Sequence, residues 1–511
     1  MKFKVSEDKK FLVLISSTKL ELDQLIYSFT KRIDAWFILR KKIPHWDGKV
    51  KFIDTKFNRI PIGLWNEVKK LSDKYHFPLE IEGVEIFSNK NYDATDFEEW
   101  IEYCFKNSED FHPREYQLEA SKKILKYRFC TEEISTSGGK TLIAFMIFSY
   151  LLNKAIIKKM LYVVPNISLV NQTEEKFYEY EDTCGRKPKW KSQCVFGGAK
   201  KNDNLKPNIV FGTFQSLSKK DLDYFSGFDA VCIDEVHHAR AKSIKDILVK
   251  CYNAQYKFGL TGTLPKEDSC DSFTIQAYLG PMVYQLYSAD LIKDGNATPV
   301  HVIGIEMDYL NQENKKRLFD LRNVKSDEKD GVKLLNLEKD IARENRKRFI
   351  YVCETIDKST KNSIVLFADI KNSYGRSVYN WLKENTEKNV YYIDGGTKVD
   401  NRDYYKKKMD EEDNIIIVAS VGTFSEGIDI NNVFNIFISE SHKSEIIVAQ
   451  ILGRGMRLMP EKDKIQVIDF SDNFEYGSGF QRKNYLMRHA EERQRIYKKR
   501  KFPFKQFRVK L

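Results

Sequence analysis

Two segments far apart in this 511-residue chain carry side chains suited to phosphate. In Ser137-Gly138-Gly139-Lys140-Thr141 the glycines let backbone N–H groups approach phosphate oxygens, and a helix starting there adds its positive dipole end. Lys140 would neutralise the β- and γ-phosphates of ATP, and the Thr141 hydroxyl would bind Mg²⁺. More than three hundred residues later, Gln450 to Arg457 places Arg454 and Arg457 three apart, which on a helix share one face. Arginine suits a γ-phosphate because its planar fork stays charged and bonds in two places. A phosphate site split in this way implies two domains that close on a nucleotide.

The loop has a partner 94 residues after Lys140, where a short apolar strand runs into Asp234-Glu235-Val236-His237-His238. A carboxylate at a strand's C-terminal edge beside a phosphate loop is placed to hold Mg²⁺, so Asp234 is the second expected metal ligand. Glu235 would orient or deprotonate the attacking water. Upstream, Gln117 offers an amide that matches both polar groups of the adenine edge, and Arg114 or Tyr116 could stack on the ring. The plain alternatives are an ordinary glycine turn, a surface pair of strand-end charges and an idle surface glutamine.

The elements that must position these groups are legible as two α/β domains. Short, continuous, β-branched runs at 160–164, 209–211 and 230–233 read as buried parallel strands alternating with helices. The pattern recurs at 363–367, 415–418, 436–438 and 465–468. The expected domains are therefore 106–292 and 293–476, preceded by a small α/β domain at 1–105 and followed by a basic extension at 477–511. Acidic residues near 93–102 read as a linker, and the charged stretch 311–347 as helical.

At 42% hydrophobic and 13% aromatic residues the chain can fill several cores. No apolar run reaches the roughly 18 residues that span a bilayer, so no membrane role is expected. Eight cysteines without a C-x-x-C pair argue against a zinc module and suit a reducing cytoplasm. Of the net charge of +12, the last 31 residues supply +10, which favours a polyanion such as nucleic acid.

Taken in order, the segments resemble the superfamily 2 helicases and translocases. Pro113 to Gln117 looks like the Q motif, Ser135 to Thr141 like motif I with Ile134 where a glycine is usual, and 164–172 like motif Ia. Segment 212–216 looks like motif Ib/Ic, Asp234 to His237 is a DExH-type motif II, and 260–263 looks like motif III. Segment 423–429 looks like motif V, and 450–457 like motif VI. Pro44-His45-Trp46-Asp47-Gly48-Lys49-Val50 and 484–489 are similar to the UvsW-type phage recombination and repair helicases.

The resemblance implies two tandem RecA-like domains, with Gly427, Asp429 and Gln450 also at the nucleotide. It implies a nucleic-acid track lined by Pro165, Thr213, Gln215, Ser216 and Thr423, polar groups that grip phosphates without reading sequence. It further implies ATP-dependent unwinding and branch migration at forks, Holliday-type junctions, D-loops and R-loops. Single- and double-stranded DNA, RNA in R-loops, and single-strand-binding and recombinase proteins are the implied partners, in a host bacterial cytoplasm. The competing readings are a DExH-type RNA helicase, a double-strand translocase that separates nothing, and an inactive clamp. In the N-terminal domain, Trp46 and Lys49 stand among Arg40, Lys41, Lys42 and Lys51, basic groups around an aromatic, which suits nucleic acid.

Overall fold

The computed structural model describes residues 1–511 except 34–35, 37–42, 44, 84–87, 90–91, 109–110, 200–205, 239–240, 266–267, 324–327, 369–372, 428–429, 442–444, 461 and 480–481. Side chains at 238, 241–244, 328–330, 399, 425–427, 445–447, 449 and 454 are likewise outside the description. The chain forms two compact units, Met1–Leu286 and Tyr287–Leu511.

The first unit contains the expected parallel sheet. In chain order its strands are β7 (Phe129–Ile134), β8 (Met160–Val164), β9 (Ser192–Val195), β10 (Ile209–Thr213), β11 (Ala230–Asp234), β12 (Tyr256–Thr261) and β13 (Met282–Leu286). In space the order is β13-β7-β12-β11-β8-β10-β9, and each neighbouring pair is parallel. Strands β8, β10 and β11 are buried at every position because helices cover both faces. Between β7 and β8 the helix Lys140–Asn153 is buried from Leu142 through Leu151, so it must lie inside and starts where the loop delivers it.

The N-terminal segment opens with β1 (Lys2–Val5) and β2 (Phe11–Ser16), joined by β5 (Arg59–Pro61) and β6 (Glu80–Glu82) into a four-stranded sheet. Strands β3 (Thr30–Arg32) and β4 (Lys49–Lys51) form a separate antiparallel ribbon. The four-stranded sheet shares a core with Cys270, Phe273 and Ala277 of the helix Cys270–Leu279, which follows β12. At the junction a Cβ on Gly63 would sit 2.0 Å from the Gln276 carbonyl oxygen, a contact that only glycine permits.

Two expectations change with the structure. Residues 93–102 are not a linker: Asp93 caps a helix, Ala94–Phe105, that buries Phe97, Ile101, Cys104 and Phe105. That three-and-four spacing is helical, and the acidic groups occupy its outer face. Near the C-terminus, the helix Tyr485–Lys499 is basic as expected, but the chain then forms β20 (Phe504–Lys510).

In the second unit β20 is an edge of a parallel sheet with β14 (Val300–Asp308), β15 (Ser363–Phe367), β16 (Asn389–Ile393), β17 (Ile415–Ser420), β18 (Asn435–Ile438) and β19 (Ile465–Asp472). Their order is β16-β17-β15-β18-β19-β14-β20. The terminal segment is therefore built into the unit, and deleting it would remove a strand rather than a loose basic tail. The charged stretch after β14 is helical as expected, over Gln312–Asn323 and Glu328–Glu344.

Candidate nucleotide and nucleic-acid sites

The phosphate loop leaves the C-terminal end of β7. Ser137 (φ +71°) and Gly139 (φ +79°) are left-handed, and Gly139 caps the helix that begins at Lys140. A Cβ on Gly138 would lie 2.6 Å from Ile134 Cγ2, so the isoleucine that replaces the usual glycine closes against the loop from below. A Cβ on Gly139 would lie 2.3 Å from Gln117 Nε2. Close approach favours glycine at 138 and the left-handed backbone favours it at 139, while the Gly138 N–H donates to the Ser135 carbonyl at 2.8 Å.

Gln117 is buried, and its amide is engaged within the protein. Nε2 donates to the Gly138 carbonyl at 3.1 Å, and Oε1 accepts the Arg114 N–H at 2.9 Å. The side chain expected to read adenine therefore also ties the helix Glu115–Tyr127 to the phosphate loop. Arg114 and Tyr116 stay together, Nη1 donating to the phenol oxygen at 3.2 Å.

The carboxylate pair meets the loop as expected. Asp234 ends β11, and Lys140 Nζ lies 3.1 Å from Glu235 Oε1. Glu235 takes φ +48°, a sharp turn for a non-glycine residue directly after the strand. Asp234 Oδ2 accepts the Tyr162 hydroxyl at 3.0 Å, and Oδ1 accepts the Glu235 N–H at 2.8 Å. Burial, and then the neighbouring Glu235 charge, push the Asp234 carboxyl up to about 6, opposed by Lys140 and by the Tyr162 hydrogen bond. Behind them His237 Nδ1 meets Thr261 Oγ1 at 2.5 Å and lies 3.4 Å from Glu235 Oε2. Thr261 Oγ1 donates to the Thr263 carbonyl at 2.8 Å. The motif III-like segment and the carboxylate expected to orient water are therefore both next to His237.

Sequence alone assigns no role to Tyr162, His237 or Lys462. Only sheet order reveals Tyr162, because β8 lies next to β11. A histidine one residue beyond Val236 in Asp234-Glu235-Val236-His237 is the available signal for the second.

Groups expected on the nucleic-acid track differ in availability. Thr213 is buried at the end of β10, its hydroxyl accepting the Ser216 N–H at 3.4 Å as a helix cap and donating to Ser216 Oγ at 3.2 Å. Gln215 is exposed, and Ser216 and Pro165 are half-buried, at the C-terminal edges of β10 and β8. Thr423 and Ser420 share a hydrogen bond of 2.7 Å at the end of β17.

In the second unit Gln450 is buried within the helix Glu445–Gly455, which also holds Arg454, whose side chain lies outside the description. That helix stops at Gly455, so Arg457 does not share a helical face with Arg454 as expected. Instead Arg457 Nη1 donates to Asn431 Oδ1 at 3.3 Å, and buried Lys462 holds the turn by donating to the carbonyls of Gly455 (2.7 Å) and Arg457 (3.3 Å). A lysine at a helix C-terminus meets the negative dipole end, which compensates its burial. Gly427 closes the helix Val421–Gly427, and Asp429 lies outside the described residues.

At the ribbon, register pairs Arg32 with Lys49 and Thr30 with Lys51, so Arg32, Lys49 and Lys51 share one face. Trp46 is half-buried, its indole N–H donating to the Lys49 carbonyl at 3.2 Å. Arg40, Lys41 and Lys42 lie outside the described residues.

Two parallel-sheet units, a phosphate loop paired with Asp234-Glu235 and a terminal arginine segment define a class. The family model for the type III restriction enzyme res subunit matches residues 110–266, and that for the helicase conserved C-terminal domain matches 347–459. The chain is a superfamily 2 helicase of the DExH type. It is 28% identical over 481 residues to the ATP-dependent DNA helicase uvsW of Enterobacteria phage T4, covering 91% of each chain. It is 26% identical to the DNA 3'-5' translocase XPB2 of Sulfurisphaera tokodaii over 69% of this chain and 79% of that one. The structure of Mss116p bound to ssRNA and AMP-PNP shares the fold, with a TM-score of 0.54 at 15% identity over 80% of this chain and 77% of that one. Among the described residues no helix is long and apolar enough to cross a membrane.

Proposed function

We propose that the chain is an ATP-dependent DNA helicase that acts on branched DNA, moving junctions and unwinding forks, D-loops and R-loops. The observation that carries the reading is the Lys140–Glu235 pair of 3.1 Å at the meeting of loop and strand ends, in a chain similar over 91% of its length to the phage DNA helicase. That pair is a cation and an anion held ready to exchange partners. Lys140 would turn to the β- and γ-phosphates, which frees Glu235 to orient water.

ATP and Mg²⁺ fit the residues present. Close approaches at Gly138 and Gly139 leave a cradle without side chains, and a carboxylate and a hydroxyl, Asp234 and Thr141, supply the oxygen donors that Mg²⁺ prefers. The metal would neutralise charge developing on the transferred phosphoryl group. Arg454 and Arg457 are the expected arginines for the same phosphate, with Gln450, Gly427 and Asp429 beside them. Ser216, Gln215, Pro165 and Thr423 grip the DNA backbone. Single-strand-binding and recombinase proteins are the proposed partners, in the cytoplasm of a bacterial host.

The Asp234 carboxyl makes the site pH-sensitive. Hydrolysis is expected to fall as pH drops through about 6, because the protonated form cannot ligate the metal. Raising Mg²⁺ should move that midpoint down, since the metal binds only the carboxylate. Tyr162→Phe removes a hydrogen bond that favours the charged form, so it should move the midpoint up. A pH–rate profile that ignores both changes would remove Asp234 from the metal site.

On the ribbon, Trp46→Ala with Lys49→Ala is expected to weaken binding to branched DNA by on the order of tenfold, with secondary structure retained. Unchanged affinity in a filter-binding titration would show that this face is only solvated. For the activity as a whole, the test is steady-state ATP hydrolysis with no nucleic acid, single-stranded DNA, duplex, four-way junction or RNA. Stimulation greatest with the junction supports the reading; stimulation by RNA alone would make the chain an RNA helicase.

A further inference from the structure

A cavity of about 670 Å³ lies where the N-terminal segment meets the first parallel sheet. That is within the range of roughly 300–1,000 Å³ occupied by ligand pockets. Phe129 opens β7 and Lys257 is the second residue of β12, so the cavity sits at the N-terminal edge of the sheet. The phosphate loop and Asp234 sit at the other edge, about 17 Å away along β7 at roughly 3.3 Å per residue. The nucleotide machinery does not use this cavity.

Its walls combine two chemistries. Its apolar lining includes Phe11 and Phe52 from the N-terminal segment and Phe129 and Tyr278 from the sheet and its covering helix, with Arg59 over the Phe11 ring at 4.4 Å and Lys257 over Phe129 at 5.9 Å. Around it stand Lys9, Lys10, Lys51, Arg59, Lys245 and Lys257, against a single lining carboxylate, Asp54. Asp54 is already bridged to Arg59 at 3.2 Å, and Lys10 has Asp8 at 3.8 Å. Lys9, Lys51, Lys245 and Lys257 have no carboxylate partner among the described residues. Lys257 donates to the Leu248 carbonyl at 3.2 Å, and burial pushes its ammonium down to about 8. Lys9, Lys51 and Lys245 are exposed and free to turn toward a polyanion, and the cluster of like charge around the cavity is what complements one.

We propose that this cavity is a second nucleic-acid site, off the motor's track, which takes an unpaired stretch of DNA with phosphates on the rim lysines and bases against the aromatic lining. The proposal rests on the reading of the chain as a DNA motor. A duplex would reach only the rim and leave the apolar lining in water, whereas unpaired bases expose flat faces that stack on aromatic rings. The ribbon's basic face also reaches the rim through Lys51. A motor that separates or re-pairs strands thereby gains a hold on the strand it is not tracking. Because the N-terminal sheet shares a core with the helix Cys270–Leu279, that hold moves with the first unit.

The test uses the full chain without nucleotide. Binding of a fork with one unpaired arm is followed by fluorescence anisotropy at several salt concentrations, for wild type and for Lys9→Glu with Lys245→Glu. Parallel titrations use the same fork with an abasic arm, and a blunt duplex. The variant is expected to lose about tenfold on the fork, with a salt slope shallower by about 1.4, for two single-strand phosphate contacts. Wild type should lose a similar factor when the arm is abasic, and blunt duplex should be unaffected. DNA-free ATP hydrolysis stays unchanged, which shows the variant is folded. Equal affinity and slope for variant and wild type overturn the proposal. So does a wild type that ignores the loss of bases and releases the fork to polyglutamate, which would mark a site for acidic peptide. Failure of the motor reading would appear separately, as absent DNA stimulation of hydrolysis, while the binding result stood on its own.

Discussion

Glu235→Gln is expected to slow DNA-stimulated ATP hydrolysis by about 10²–10⁴-fold while leaving nucleotide binding intact or tighter. In the proposed mechanism this carboxylate orients the attacking water, and glutamine keeps its shape but not its basicity. The same change removes the anion that holds Lys140 at 3.1 Å, so the lysine no longer exchanges one partner for another when phosphate arrives. It also removes the largest like charge beside Asp234, so that carboxyl should titrate lower. Lys140→Ala differs: it should lose binding and hydrolysis together, because it removes the proposed phosphate ligand itself. A nucleotide-binding titration beside a steady-state assay separates the two. Equal loss of binding in both variants would mean that Glu235 is structural.

Arg493→Ala is expected to destabilise the second unit by about 3–5 kcal/mol. Arg493 is fully buried and forks onto Asp469 of β19, with Nη2 to Oδ1 at 2.7 Å and Nε to Oδ2 at 2.9 Å. The Tyr497 hydroxyl donates to Oδ2 at 2.9 Å. This network fastens the helix Tyr485–Lys499 to the sheet and so brings the chain to β20. Truncation leaves a buried carboxylate with no counter-charge, which costs more than the pair contributed. Arg493→Met with Asp469→Leu should recover most of the loss, because both charges then leave together. Hydrogen exchange resolved by segment reads this in the second unit and leaves β7 to β13 as an internal control. Wild-type protection in Arg493→Ala would show that the terminal helix is not fastened through this pair.

The core motor was legible because its signals are local. Runs such as Met160–Val164 and Ala230–Asp234 can be read as buried strands without knowing their neighbours, and strand ends locate Asp234 and Glu235. What sequence could not supply was adjacency. Tyr162 meets Asp234 only because β8 lies beside β11, and no spacing encodes that order. Counting charge reads the twelve basic residues of 481–511 as an extension that favours a polyanion, and does not reveal that Arg493 is an internal ion-pair partner and Phe504–Lys510 a strand. The resemblance puts Thr213 on the nucleic-acid track, and only its place directly before a helical turn shows that its hydroxyl also serves as a cap. The segment Gln450–Arg457 reads as one helix, but Gly455 ends it, which gives Arg457 a backbone of its own.

The most direct measurement is conversion of a labelled four-way junction to forked products with ATP and Mg²⁺, run beside Lys140→Ala and resolved on a native gel. The account predicts ATP-dependent conversion by the wild-type chain, none by the variant, and unwinding of a forked duplex under the same conditions. Robust junction-stimulated hydrolysis without any change in the DNA would contradict it and make the chain a translocase that separates nothing.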